Sequence, residues 1–85
     1  MFYCYLLESI RDKSWYIGYS ENLKNRFRSH NKGENKTTKN KLPWKLIYYE
    51  AYENSLDAKK RERFLKSGSG RKFLKKQLQN YIFNH

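Results

Sequence analysis

The sequence predicts an α+β fold in which helices pack on a three-stranded sheet, in the order β-β-α-β-α-α. Three observations predict it. The runs Phe2–Leu7, Trp15–Tyr19 and Trp44–Tyr52 are aromatic and aliphatic without helical gaps. The stretches that follow the second and third runs carry capping residues and then apolar residues at helical spacing. At 85 residues, with no internal repeat and no separating linker, the chain is expected to form one small domain over residues 1–85.

Phe2–Leu7 reads as a buried strand, and polar Glu8–Ser14 as the turn leading into a second strand at Trp15–Tyr19, so the two form an antiparallel hairpin with a longer loop. Gly18 is an anomaly within the second run, because glycine weakens a strand unless something needs close backbone approach. Ser20 can cap a helix over about Glu21–Asn31, with Leu23 and Phe27 marking its buried side. Gly33–Leu42 is a basic, Thr/Asn-rich loop with no apolar anchor before Leu42. Bulky residues on both faces of Trp44–Tyr52 place that strand at the centre of the sheet. Asn54 or Ser55 caps a helix over about Leu56–Lys66, with Asp57 in its first turn. Ser67–Gly70 breaks the chain, and a third helix over about Arg71–Tyr81 buries Leu74, Leu78, Tyr81 and Ile82.

The charge balance speaks to partners. There are 19 Lys+Arg against 8 Asp+Glu, a formal net charge of +11. Eight Tyr, five Phe and two Trp are too many for a solvated basic tail, since each ring buries roughly 150–250 Å² when packed. No run approaches the ~18 apolar residues of a membrane span, and Met1–Leu7 lacks the basic start and cleavage site of a secretory signal. The expected partner is therefore nucleic acid and not membrane. One cysteine, Cys4, forms no internal disulfide and fits a reducing compartment. With only Cys4, His30 and His85 as soft ligands, a structural zinc site is not expected.

Some residues stand where a purely structural account would not put them. Glu62 shares a stripe with Ala58 and Leu65, so it points toward the apolar face amid Lys59, Lys60, Arg61 and Arg63. Two readings stay open: a core-edge carboxylate paired with a neighbouring base, or a ligand for a hard divalent cation such as Mg²⁺ or Mn²⁺. Arg26 and His30 are four apart and share a face beside Leu23 and Phe27, which suits either a structural histidine or a phosphate contact and proton carrier. Tyr3, Tyr5, Tyr16 and Tyr19 all fall on the hairpin; core packing accounts for most, but a tyrosine near a metal and cations can help deprotonate a water. Tyr48, Tyr49 and Tyr52 read as structural. The segments Asn31–Lys41 and Lys66–Lys76 read as phosphate-contacting surface.

Tyr3-Cys4-Tyr5, Tyr16-Ile17-Gly18, Arg26 with His30, and Glu62 on a later helix occur in the order and spacing of a known family. The chain resembles, over essentially its whole length, the GIY-YIG endonuclease domain, and most of all its small stand-alone bacterial or phage members, related to the nuclease domain of the nucleotide-excision repair subunit. It departs from the family in the first motif, which has neither the glycine nor the isoleucine. The resemblance implies a three-stranded antiparallel sheet flanked by helices and a metal-dependent DNA endonuclease. It further implies that Tyr5 is the general base or holds the attacking water, that Tyr16 lies near the scissile phosphate, and that Gly18 allows close backbone approach. Arg26 then stabilises phosphate charge, His30 assists proton transfer, and Glu62 is the single carboxylate for Mg²⁺ or Mn²⁺. Lys24, Lys66 and Arg71 are assigned to DNA contact. The implied setting is cytoplasmic and nucleoid-associated, with a protein partner possible as a source of specificity. The alternative is a basic nucleic-acid-binding module that uses the same fold without cutting.

Overall fold

A computed structural model describes residues 1–84 of the chain; His85, weighed above as a soft ligand, lies outside the described residues. The elements are β1 (Phe2–Ser9), β2 (Trp15–Ser20), α1 (Leu23–Asn31), a single 3₁₀ turn (Lys39–Lys41), β3 (Trp44–Tyr52), α2 (Ser55–Lys66), α3 (Gly68–Gln77) and α4 (Gln79–Phe83). The sheet is antiparallel throughout, in the order β2-β1-β3.

The central strand is thus β1 and not β3. Cys4, Leu6 and Ile17 belong to one buried cluster with Ala58, Leu65 and Leu74. Tyr5 and Leu7 belong to the other, with Trp44 and the partly buried Leu23 and Phe27. Alternation along β1 therefore loads both faces of one strand, and burying each of its leucines contributes roughly 1.5–3 kcal/mol. In β3 the outermost bulk is an amphipathic aromatic that tolerates an edge: Tyr49 is 53% exposed. A register shift between Leu6 and Leu7 lets β3 slip one residue where it passes β1.

α1 covers one face and α2 with α3 the other. α1 begins later than expected because Asn22, not Ser20, caps it; the Asn25 N–H donates to Asn22 Oδ1 at 3.1 Å, while Ser20 Oγ accepts from the Asn22 N–H one step earlier. Asn54 caps α2 and Asp57 sits in its first turn, as expected. Ser67 ends α2 and at once caps α3 through the Gly70 N–H, so α3 starts three residues before Arg71. The helix then stops at Gln77 and restarts as α4, which leaves Ile82 42% exposed and outside the core. Gly70 is required at this joint, because a Cβ there would lie 1.9 Å from the Phe64 carbonyl oxygen.

Polar contacts tie α2 to the sheet. The Cys4 thiol, fully buried under α2, donates to the Ala58 carbonyl at 2.8 Å, and burial beside Glu50 and Glu62 pushes it up to about 11. On the same face Glu50 accepts from the Tyr48 and Tyr52 hydroxyls and from Arg61. Tyr48 and Tyr52 are structural, as expected.

Candidate active site

A cleft of about 530 Å³ opens at the β2 edge of the sheet, lined by Tyr5, Tyr16, Gly18, Arg26 and Glu62 among others. Four elements meet there. β1 contributes Tyr5, β2 contributes Tyr16 and Gly18, α1 comes from one face with Arg26, and α2 comes from the other with Glu62. β2 carries no side chain at position 18, where it lines this cleft. The same bare position accommodates the Tyr5 ring: Tyr5 and Gly18 are cross-strand partners, and a Cβ on Gly18 would lie 2.4 Å from the Tyr5 hydroxyl oxygen. Close approach at Gly18 is therefore made, within the protein, by Tyr5.

Behind Tyr5 runs a buried polar chain. The Tyr5 hydroxyl pairs with His30 Nε2 at 2.9 Å, and His30 Nδ1 pairs with Thr38 Oγ1 at 2.8 Å. Tyr5 is 1% exposed, and His30 is 0% exposed. Tyr16 packs edge-on against His30, with ring centroids 5.0 Å apart. Burial and the neighbouring Tyr16 push the Tyr5 phenol far above its ordinary value, against the pull of Arg26. Burial, with Arg26 adding to it, holds His30 below its usual 6.5. At neutral pH the chain consists of a neutral phenol on a neutral imidazole. His30 is thus on the far side of Tyr5 from the cleft and does not line it.

Thr38 was missed by sequence reasoning. Its loop was expected to be solvated and phosphate-facing, yet Thr38 is buried, and its carbonyl accepts from Trp44 Nε1 at 2.8 Å. Thr38 is held by these polar contacts and not by an apolar side chain, so periodicity could not reveal it. A threonine in a Lys/Asn-rich loop eight residues after a helical histidine was the one available signal.

Glu62 is half-buried at the cleft and pairs with Lys66 at 2.9 Å, one turn along α2. Lys66 is largely exposed, so this pair is worth about 0–1 kcal/mol and exchanges readily. Lys59, Arg63 and Tyr19 also line the cleft, with Lys59 over the Tyr19 ring. All three were legible in principle, since Lys59 and Arg63 flank Glu62 on α2 and Tyr19 adjoins Gly18. Among the other DNA-contact candidates, Lys66 borders the cleft through Glu62. Lys24 lines an apolar groove with Tyr3, Phe27, Leu46 and Tyr49, and Arg71 lines a separate cleft.

Among the described residues no group of three or more His, Cys, Asp and Glu could hold a metal ion. A single carboxylate nevertheless suits a magnesium-type ion, which keeps several waters and takes one or two carboxylates plus substrate phosphate oxygens. Ions that prefer nitrogen or sulfur find no donors in the cleft, since His30 is behind Tyr5 and Cys4 is buried under α2.

Comparison with known proteins gives a consistent picture. The family model for the GIY-YIG catalytic domain matches residues 1–77. A UPF0213 protein of Pediococcus pentosaceus is 44% identical over 79 residues, covering 88% of this chain and 82% of that one. A UPF0213 protein of Clostridium perfringens is 40% identical over 67 residues, covering 78% and 71%. The solution NMR structure of a UPF0213 protein from Bacillus halodurans superposes with a TM-score of 0.55 at 34% identity, covering 95% of this chain and 85% of that one. No helix among the described residues is long and apolar enough to cross a membrane.

Proposed function

The chain belongs to the GIY-YIG catalytic-domain family, a nuclease superfamily, and from that premise we propose that it is a metal-dependent DNA endonuclease hydrolysing phosphodiester bonds at the Tyr5–Glu62 cleft. The observation that carries the proposal is the convergence of Tyr5, Tyr16, Gly18, Arg26 and Glu62, from four elements, on one cleft. Lys59 and Arg63 line the same cleft, and Lys66 borders it through its ion pair with Glu62.

The residues divide the work by what they touch. Tyr5 donates its proton toward His30 Nε2, and its oxygen lone pairs then accept a hydrogen bond from the attacking water. As that water attacks phosphorus and the bond from phosphorus to the leaving oxygen breaks, the water's proton passes to Tyr5 and the Tyr5 proton to His30, while His30 Nδ1–H donates to Thr38 and the leaving oxygen takes a proton from solvent. The relay suits a phenol whose burial forbids a resting phenolate, since Tyr5 never has to hold the charge. Tyr16 walls the reaction point and orients the His30 ring. Arg26 faces the developing phosphorane charge, where a preorganised group contributes roughly 2.7–4 kcal/mol, about 10²–10³ in rate. Glu62 is the residue that would hold Mg²⁺ or Mn²⁺, which when bound supplies Lewis-acid charge for the phosphoryl oxygens.

The test is cleavage of labelled single-stranded, duplex and branched DNA with Mg²⁺, Mn²⁺ or EDTA, run beside Glu62→Ala. Glu62 makes one ion pair, with the largely exposed Lys66, so the variant should fold as the parent does and lose cleavage by at least about 10²-fold. Near-parental cutting by a folded, metal-saturated Glu62→Ala protein would defeat the mechanism. Binding without cutting by the parent, on every substrate and with both metals, would make the chain a non-cleaving nucleic-acid-binding module.

A further inference from the structure

A second cleft, of about 580 Å³, lies at the opposite end of β2 from Gly18, between the β1–β2 turn, Lys41 and the helices α3 and α4. Lys13, Lys41, Arg71 and Lys75 line it. Its one carboxylate, Glu8, is buried and engaged, accepting from Trp15 Nε1 at 3.1 Å and from the Tyr81 hydroxyl at 2.6 Å. Lys41 makes only a loose, exposed pair with Asp12 at 3.7 Å. Among the described residues no carboxylate pairs with Lys13, Arg71 or Lys75, and all three are exposed. The cleft therefore sets four cations around one hydrogen-bonded carboxylate, a net positive lining with the electrostatics of a polyanion site.

The backbone at the lip points the same way. Lys13 has φ +67°, a left-handed conformation that glycine or asparagine adopts at less cost. The turn accepts that strain and sets an unpaired ammonium group at the mouth of the cleft. Observed strain at such a position is a pointer to function.

β2 also joins the two clefts: Trp15 lines the second, and its neighbour Tyr16 lines the catalytic one.

We infer that this cleft is a backbone subsite for the flank of the DNA substrate, holding phosphates beside those at the catalytic cleft. The inference rests on the nuclease reading of the first cleft and adds to it a registering contact. Lys13 and Lys75 act there as point charges, and Arg71 offers a planar fork to phosphate oxygens. Contacts of this kind set position along the duplex and read no bases.

The test is a salt series of duplex-DNA binding by fluorescence anisotropy on the parent, on Lys13→Gly/Lys75→Gln, and on a control, Lys60→Gln/Lys72→Gln, whose lysines are exposed on α2 and α3 and line neither cleft. The slope of log K against log salt should fall by about 1.8 in the first variant, at about 0.9 per lost contact, and stay parental in the control. Lys13→Gly alone should melt at or above the parent, because it relieves the backbone, so weaker binding could not be ascribed to unfolding. A parental slope in Lys13→Gly/Lys75→Gln, or an equal fall in the control, would overturn the subsite while leaving the nuclease reading intact. A parent that binds and cuts no DNA would instead overturn the reading on which it rests.

Discussion

Replacing Gly18 with alanine tests the join between fold and chemistry. The new Cβ would fall 2.4 Å from the Tyr5 hydroxyl oxygen, 2.5 Å from Cζ and 2.9 Å from Cε1. All three are atoms of one buried ring, which cannot swing out as the end of a flexible chain would. The ring must move by about 1 Å to restore ordinary contact, and overpacking of this kind costs roughly 1–3 kcal/mol. Moving Tyr5 also stretches its bond to His30, and leaving a buried partner unsatisfied costs roughly a further 1–3 kcal/mol. Loss of glycine's freedom in the unfolded chain returns only about 0.4–1 kcal/mol. The net expectation is a destabilisation of about 1–5 kcal/mol, measured by urea denaturation. Cleavage should fall further, by about 10²-fold even where the variant is fully folded, because a shift of about 1 Å in a positioning group is enough. In a Tyr5→Ala background the steric conflict disappears, so the Gly18→Ala penalty should shrink and the double-mutant cycle should show coupling. A Gly18→Ala protein with parental stability and parental cleavage would refute the reasoning.

Other expectations follow from the same geometry. The fold holds His30 below 6.5, so below that pH the unfolded chain binds a proton that the folded chain refuses. Stability should therefore fall as pH drops through 6.5, by at most about 1.4 kcal/mol per pH unit, with no contribution from this group above it. The acid limb of cleavage should lie below 6.5 as well; stability that rises on acidification, or an acid limb above 6.5, would contradict a neutral buried relay. Gly70→Ala places a Cβ against the Phe64 carbonyl and the Leu65 Cα, which are backbone and cannot rotate away, so its cost should reach or exceed the top of the roughly 1–3 kcal/mol range for overpacking. Gly68→Ala, with nothing within 4 Å of its new methyl, should be neutral or stabilising when both variants are compared by urea denaturation; equal losses at the two sites would show that the α2–α3 joint is not the constraint.

Much of this was legible in the sequence because the informative residues conflict with their local surroundings. A glycine inside a strand and a carboxylate on an apolar helical stripe are each locally costly, and each lies at the cleft. Strand order was not legible. β1 and β3 both carry bulk on both faces, and what separates them is whether the outer ring ends on a hydroxyl that reaches water, as at Tyr49, or on an aliphatic tip, as at Leu7. The start of α3 was hidden because Ser67 serves two helices at once, so the following glycines looked like a break. Thr38 was hidden more deeply. Its burial is decided by partners at His30 and Trp44, and neither partner leaves a periodic trace in the loop.

Cys4 makes the chain its own conformational probe. The thiol is sealed beneath the helix that carries Glu62, bonded to Ala58 on that helix, and held mostly protonated by a pKa near 11. An alkylating reagent needs both access and thiolate, so it can modify the folded molecule only when α2 lifts from the sheet. Labelling rates therefore count the openings of that one interface, by mass shift alone and with no engineered dye site. Whatever fastens Glu62 from the outside should lengthen the time Cys4 stays unmodified, which lets a binding event at the cleft be timed from inside the core.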